Sequence, residues 1–284
     1  MKKFRFILLL SISIALPATG NDALLPAFAA EQAREFDKAI QTLRSLDRSD
    51  SESRFHLARI QYLSGSSEAA LETLDQLIAG DPTYANAWYL KGLVHLARLG
   101  EVGLFRMVGE ANRAVDAWQK TVELDPGHVD ARYGVIAYYA NAPGIAGGSL
   151  KKARSLQQEL AEINVAYGIM ADGLILSREE NFSAAEAQFL EAARLMDRAG
   201  PHFGLAQFYL GQEDYEKALS EIEKFDQKEK RWWDADITFS HLLKAQAYAG
   251  LGDTEKARYY IELAMSLKPN KRVKGMLEDT LQKL

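Results

Sequence analysis

Apolar residues recur along this chain in steps of three and four, the spacing of one face of an α-helix. Thr238 to Pro269 shows the unit most clearly. Leu242, Ala245 and Ala249 share one face of a first helix, with Tyr248 beside them. Gly252 and Asp253 stop it. Thr254, Ala257, Ile261 and Ala264 carry a second helix, and the chain breaks at Pro269. Glycine ends a helix because it reaches the left-handed conformation at little cost, and Asp caps the free N–H groups of the helix that follows. One alanine at the heart of each second helix sets the register over the whole chain: Ala39, Ala70, Ala114, Ala153, Ala185, Ala218 and Ala257, between 31 and 44 residues apart. Small side chains at these crossings let two helices approach closely. Such a hairpin cannot bury its own apolar face and needs a similar neighbour on each side.

The pattern predicts an irregular first repeat over 22–49. Hairpins follow at about 51–84, 85–128, 129–165, 166–198, 199–230 and 238–270. Val273, Met276, Leu277, Thr280, Leu281 and Leu284 then form the apolar stripe of a final helix over 271–284, the cap a stack of hairpins needs at its open end. Three stretches depart from the rhythm. The segment 101–113 lengthens one hairpin, and its apolar stripe predicts a second helix extended at its start. Residues 142–149 read APGIAGGS. A charged connector from Asp226 to Arg231 leads into Trp232 and Trp233.

Taken together, these hairpins resemble the tetratricopeptide repeat, a helical hairpin of about 34 residues. The resemblance covers nearly all of the chain beyond residue 20. It implies an all-α fold: an α-α superhelix, that is, a right-handed solenoid of hairpins with a C-terminal capping helix, forming one domain over 21–284. In that family, exposed positions of the first helices line a concave groove. Mapped onto this chain they include Phe55, Arg59, Tyr62, Tyr89, Leu93, Tyr133, Ala137, Tyr167, Met170, Leu174, Phe203, Gln207, Phe239, Leu242 and Gln246. An aromatic lining favours an apolar or amphipathic ligand, such as an extended peptide, a helix or a lipid-like molecule. Repeats that clamp the acidic tails of chaperones present Lys and Asn there instead, which argues against that partner class. Aromatic rings at helical spacing are equally the mark of a core packed between hairpins. Trp232 and Trp233, beside basic residues, have the composition of an interface hot spot, and equally that of a plug for the gap left by the connector.

Composition narrows the function. Net charge is −5 and no long basic run occurs, which argues against nucleic-acid binding, since phosphate contacts need clustered Lys and Arg. Lys2, Lys3 and Arg5, the apolar run Phe6–Leu16 and the small residues Ala18 to Gly20 form a secretory signal peptide. It is too short for a membrane span. Cleavage is expected after Gly20, giving a periplasmic or secreted protein without stable membrane insertion. The sequence has no cysteine, so neither a lipoprotein anchor nor a disulfide is available, and stability rests on packing between hairpins.

Candidate chemistry is sparse. In the glycine-rich stretch, Ser149 is positioned to cap the helix from Leu150. Gly147, Gly148, Ser149 and Lys151 together suggest an anion-binding loop. The order is not that of a phosphate-binding P-loop, and no strand precedes it. His56, His95, His128, His202 and His241 lack metal-ligand spacing, and neither HExxH nor GxSxG occurs. No catalytic residue, cofactor or metal is expected. The reading is a non-enzymatic scaffold of the cell envelope that holds a protein or peptide in an aromatic-lined groove. The alternative is a carrier or transport accessory for a small apolar ligand.

Overall fold

The computed structural model describes residues 22–46 and 50–284. The signal-peptide expectation for residues 1–20 lies outside them. The described residues contain fifteen α-helices and no strand.

A 3-10 turn at Asp22–Leu24 leads into α1 (Leu25–Gln32) and α2 (Phe36–Arg44). The pairs that follow are α3 (Ser51–Leu63) with α4 (Ser67–Gly80), α5 (Ala85–Arg98) with α6 (Leu104–Leu124), and α7 (Val129–Asn141) with α8 (Leu150–Ile163). Then come α9 (Val165–Arg178) with α10 (Phe182–Leu195), α11 (Ala199–Gly211) with α12 (Tyr215–Gln227), and α13 (Ile237–Gly250) with α14 (Thr254–Ser266). The last helix is α15 (Lys271–Gln282). Each helix packs on the next, and first helices also meet one another, α7 on α9 and α11 on α13. This is the helical solenoid that the resemblance implied, built of the hairpins that the spacing predicted. The lengthened helix is α6, 21 residues against 14 in α4.

The register alanines sit at the crossings. Ala39, Ala70, Ala153, Ala185, Ala218 and Ala257 are fully buried and Ala114 nearly so. Five residues before the alanine, five of the seven hairpins place one residue in the left-handed region: Arg34, Gly65, Glu180, Glu213 and Gly252, with φ from 56° at Arg34 to 80° at Gly65. The next N–H then reaches back across the helix end, as from Ser66 to Gln61 (2.8 Å) and from Asp253 to Tyr248 (2.9 Å), closing a Schellman-type helix terminus. The hairpins α5/α6 and α7/α8, which carry the long helix and the glycine-rich stretch, are the two that turn differently. Asp or Asn side chains cap many of the helix starts. Asp50 accepts from Ser53 N, Asn164 from Tyr167 N, Asp253 from Lys256 N and Asn270 from Val273 N, all at 3.0–3.1 Å.

Large rings fill what the small residues leave open. Trp118 of α6 is wedged between Gly92 of α5 and Gly134 of α7, where a β-carbon would lie 2.3 Å and 2.9 Å from its ring. At the far end Val273 and Leu277 of α15 are fully buried against Leu242, Ala245, Ile261 and Ala264.

The solenoid bends until its two ends meet. Arg34, at the α1–α2 turn, donates to the Leu267 carbonyl (3.1 Å) and to Asp236 (2.7 Å). Asn270 lies against Gly65, and Arg272 against Gly100. The cap therefore covers the last hairpin and also touches the turns of the early ones. No helix among the described residues is long and apolar enough to cross a membrane.

Candidate functional site: the concave face and its occupant

Six of the fifteen expected groove residues, Phe55, Tyr62, Tyr89, Leu93, Tyr133 and Tyr167, lie under or beside one segment, the chain's own connector, which crosses the first helices. Residues 228–236, between α12 and α13, carry no helix. Trp232 meets the Phe55 ring of α3 edge to face at 5.2 Å and Tyr89 of α5 at 6.1 Å. Trp233 stands perpendicular to Trp232 at 4.8 Å and packs on Tyr89 (5.8 Å) and His128 (6.3 Å). Arg231 lies over the Trp233 ring at 4.7 Å. Its Nη1 donates to Asp130 (2.9 Å) and to the Tyr167 hydroxyl (2.7 Å), whose own O–H donates to the other Asp130 oxygen (2.8 Å). Asp234 accepts from the Arg231 backbone and side chain. Burial opposes the charge on Arg231, but Asp130 and Asp234 hold it above its ordinary range. Burial, then Asp130, pushes the Tyr167 hydroxyl up.

Both ends of the connector are anchored. Lys230 donates to the Phe225 and Asp226 carbonyls at the end of α12 (3.0 and 3.3 Å), a favourable place for a cation. Asp236 caps α13 through Thr238 N (2.9 Å) while pairing with Arg34.

Apart from Arg59, the expected groove residues therefore fall into three sets. Phe55, Tyr89 and Tyr167 are buried beneath the connector, and Tyr62, Leu93 and Tyr133 are half-buried beside it. Burial raises the Tyr133 hydroxyl to about 12. Met170 and Leu174 bridge two neighbouring cores, Phe203 packs on Phe225 and Phe239, and Leu242 lies wholly in the core under the cap. Gln207 is exposed, and Ala137 and Gln246 are half-exposed. Arg59 is buried and paired with Glu31, Nη1 to Oε1 at 2.6 Å and Nη2 to Oε2.

What remains open is a cavity of about 660 Å³ between α1, α3 and α5 on one side and the α10–α11 junction and connector on the other. Phe28, Phe55, Tyr84 and Trp232 supply its apolar wall; Glu52, Asn86, Arg198 and Glu229 supply polar groups around it. Four buried polar atoms of its lining residues, His56 Nδ1, Arg59 Nε, Arg231 Nε and Trp233 Nε1, have no hydrogen-bond partner. Burial, then the Arg59 charge, lowers His56 to about 3, so the ring is neutral.

The glycine-rich stretch is built differently. Gly144–Ala146 forms a 3-10 turn, and Gly147 takes φ +88°. The N–H groups of Gly147, Gly148 and Ser149 donate to the carbonyls of Gly144 (3.0 Å), Pro143 (3.1 Å) and Tyr139 (2.8 Å). Ser149 Oγ caps α8 through Lys152 N (3.2 Å), and Lys151 is exposed. These three N–H groups are thus engaged within the loop and on the last turn of α7. Among the described residues no three His, Asp or Glu side chains assemble as a metal set.

Sequence reasoning did not anticipate the buried acid–base pairs. His95 Nδ1 meets Glu110 Oε2 at 2.7 Å between α5 and α6, and His202 meets Glu221 at 2.7 Å between α11 and α12. The available signal was a histidine on a first helix and a glutamate on the second, at separations of 15 and 19 residues.

An all-α solenoid of antiparallel hairpins with a concave inner face is the architecture of a protein-interaction repeat. Two stretches, residues 28–94 and 240–271, match models described as tetratricopeptide repeat, so the solenoid carries tetratricopeptide repeats near both of its ends. Among solved structures, a tetratricopeptide repeat protein from Parabacteroides merdae is similar at 16% identity, over 91% of this chain and 97% of that one, with a TM-score of 0.55. A thermophilic TPR protein from Thermus thermophilus is similar at 20% identity, over 71% and 99%, with a TM-score of 0.52. These likenesses concern the fold. No curated protein matches the sequence.

Proposed function

We propose that the protein is a non-enzymatic scaffold of the cell envelope that binds a protein or peptide partner at its concave face. The observation that carries this reading is the cavity of about 660 Å³ on that face, walled by Phe28, Phe55, Tyr84 and Trp232 and rimmed by charged side chains. Aromatic walls with a polar rim suit an amphipathic chain. The export signal in residues 1–20 supports the location, and fractionation with N-terminal sequencing tests it: a mature chain starting at Asn21 in the envelope fraction is expected.

Asn86 is exposed at the cavity, so a photo-crosslinker at that position reports occupancy. We expect one stoichiometric adduct from envelope extract. It should vanish with Arg198→Trp and Glu52→Trp, which narrow the opening, and persist with Glu159→Trp on α8. Capture that ignores the first two changes removes the concave face as the site.

A second reading, a carrier for a small apolar ligand, is favoured by the cavity's volume, which falls in the range of small-molecule sites. Mass spectrometry of solvent extracts from purified protein separates the two, because only a carrier should release a defined small molecule.

A further inference from the structure

We propose that the connector 228–236 is a displaceable, built-in ligand, and that the partner replaces it by presenting a basic residue followed by aromatic ones. This inference rests on the scaffold reading and deepens it by naming the partner's chemistry.

The connector makes the contacts a bound peptide would make. It is non-helical and crosses successive first helices. One cation, Arg231, enters a polar notch formed by Asp130 and Tyr167. Two adjacent indoles enter the apolar surface made by Phe55, Tyr89 and His128. A trans peptide that inserts Arg and two aromatic residues in the same order would find the same carboxylate and the same rings.

Three observations say the seat can be vacated. First, the fit is incomplete. Trp233 Nε1 and Arg231 Nε are buried without a partner, as are His56 Nδ1 and Arg59 Nε in the adjoining cavity. An unpaired buried polar group disfavours the state that contains it, and a longer ligand with backbone groups of its own can supply what the connector does not. Second, the cavity runs along the connector from Glu229 to Trp233, so an incoming chain has room to start before the resident one leaves. Third, the anchors that fix the connector's ends, Lys230 on the α12 terminus and Asp236 on α13, lie outside the notch. The middle can lift while the flanking helices stay in place.

Charge complementarity selects the partner. The notch offers Asp130 to a cation and the aromatic floor offers ring faces, which attract Arg more than an acidic residue. An acidic peptide would meet Asp130 with like charge. Because the resident segment is tethered, it competes at the effective concentration of an intramolecular ligand, of millimolar order. A weak mimic therefore does not register against the wild-type chain.

The test uses that last point. The probe is a labelled synthetic peptide carrying this chain's residues 227–237, titrated against the full chain and against the full-length variant Arg231→Gly, Trp232→Gly, Trp233→Gly. The variant is expected to keep its helical circular dichroism and to bind the peptide at least tenfold more tightly than the wild type does. Adding Asp130→Asn to the variant should weaken that binding at least tenfold. A peptide in which both tryptophans are alanine should not bind. Absence of binding to a helical variant overturns the proposal, as does binding indifferent to Asp130. If the triple variant unfolds, Arg231→Gly alone decides: tighter peptide binding than wild type supports the proposal, and equal binding overturns it. Failure here with intact capture at Asn86 would leave the scaffold reading standing and remove only the displacement.

Discussion

The connector 228–236 and the glycine-rich stretch 142–149 are the two irregular segments most prominent in the sequence, and the structure uses them in opposite ways. The glycine-rich stretch turns on itself. Its N–H groups serve its own carbonyls and those of the adjoining end of α7, Tyr138 reaches the Ala146 carbonyl and Asn112 (2.6 Å), and Ile145 at the tip is 97% exposed. The connector turns inward and gives its side chains to distant helices: Trp232 to α3 and α5, Arg231 to α7 and α9. Backbone freedom permits a tight local turn. Large rings and a guanidinium reward long-range packing, because they bury much apolar area and need a partner for one polar end. The residue types with the most to bury, rather than those with the most conformational freedom, occupy the candidate site.

The strongest way to break this comparison is to remove both indoles. Trp232→Ala with Trp233→Ala should lower stability by roughly 4 kcal/mol, within the range for truncating large aromatic side chains, as read by urea denaturation. Since the connector also runs to Asp236 and its Arg34 partner, small-angle scattering should show the meeting of the two ends loosening. A loss under about 1 kcal/mol would make the rings passive.

This contrast also separates what was legible in the sequence from what was not. Helix ends were legible, because capping and left-handed turns depend on residues a few positions apart: Asp253 caps α14 and Gly252 takes φ +75°. The register alanines and the long α6 follow from the same local spacing. The surface each first helix presents was less legible. Phe55 and Tyr89 share a helical face with groove positions, but whether that face meets solvent or another segment depends on where residues far away in sequence travel. Arg59 shows the same limit: its partner Glu31 lies 28 positions earlier, and nothing in the local pattern marks the pairing. Periodicity reports a face, and only the superhelix's closure reports what covers it.

Gly148→Ala attacks the other side of the comparison. A β-carbon there would sit 1.7 Å from the Ala142 carbonyl oxygen, so the loop backbone must move and its hydrogen bonds with it. A loss of roughly 2–3 kcal/mol is expected in urea denaturation. Binding at the concave face should be unchanged, because the loop does not line the cavity. Altered capture at Asn86 would show that the two irregular segments are coupled.

Acid should act on the connector side. Burial, then Arg59, lowers His56 to about 3, and burial, then Lys244, lowers His241 to about 4. His56 stands on the cavity wall, while Asp226 and Asp236 at the connector's ends act on His241. Both folded values lie below the ordinary 6.5, so between those values the unfolded chain binds more protons. Their contribution is full above pH 6.5 and is lost as pH falls toward 4 and then 3. Stability should drop by roughly 2–4 kcal/mol from pH 7 to pH 4.5, and His56→Gln should remove about half of that slope. An unchanged slope in the variant would place the acid sensitivity elsewhere. The glycine-rich stretch holds no histidine and should take no part.

The smallest effect is expected at Ile145. An isoleucine with nearly all of its surface in water loses little on truncation, because no apolar area is returned to solvent that was not already there. Ile145→Ser should leave stability within about 0.5 kcal/mol of wild type. Peptide binding to the connector-free variant should also be unaffected, since the side chain is absent from the cavity lining. The value of this change lies in its contrast with Trp232. Both are large apolar residues in irregular segments, and in one the side chain is covered while in the other it is bare. If Ile145→Ser costs as much as removing a buried ring, then the tip of the loop is covered in solution, and the division between an inward connector and an outward loop does not hold.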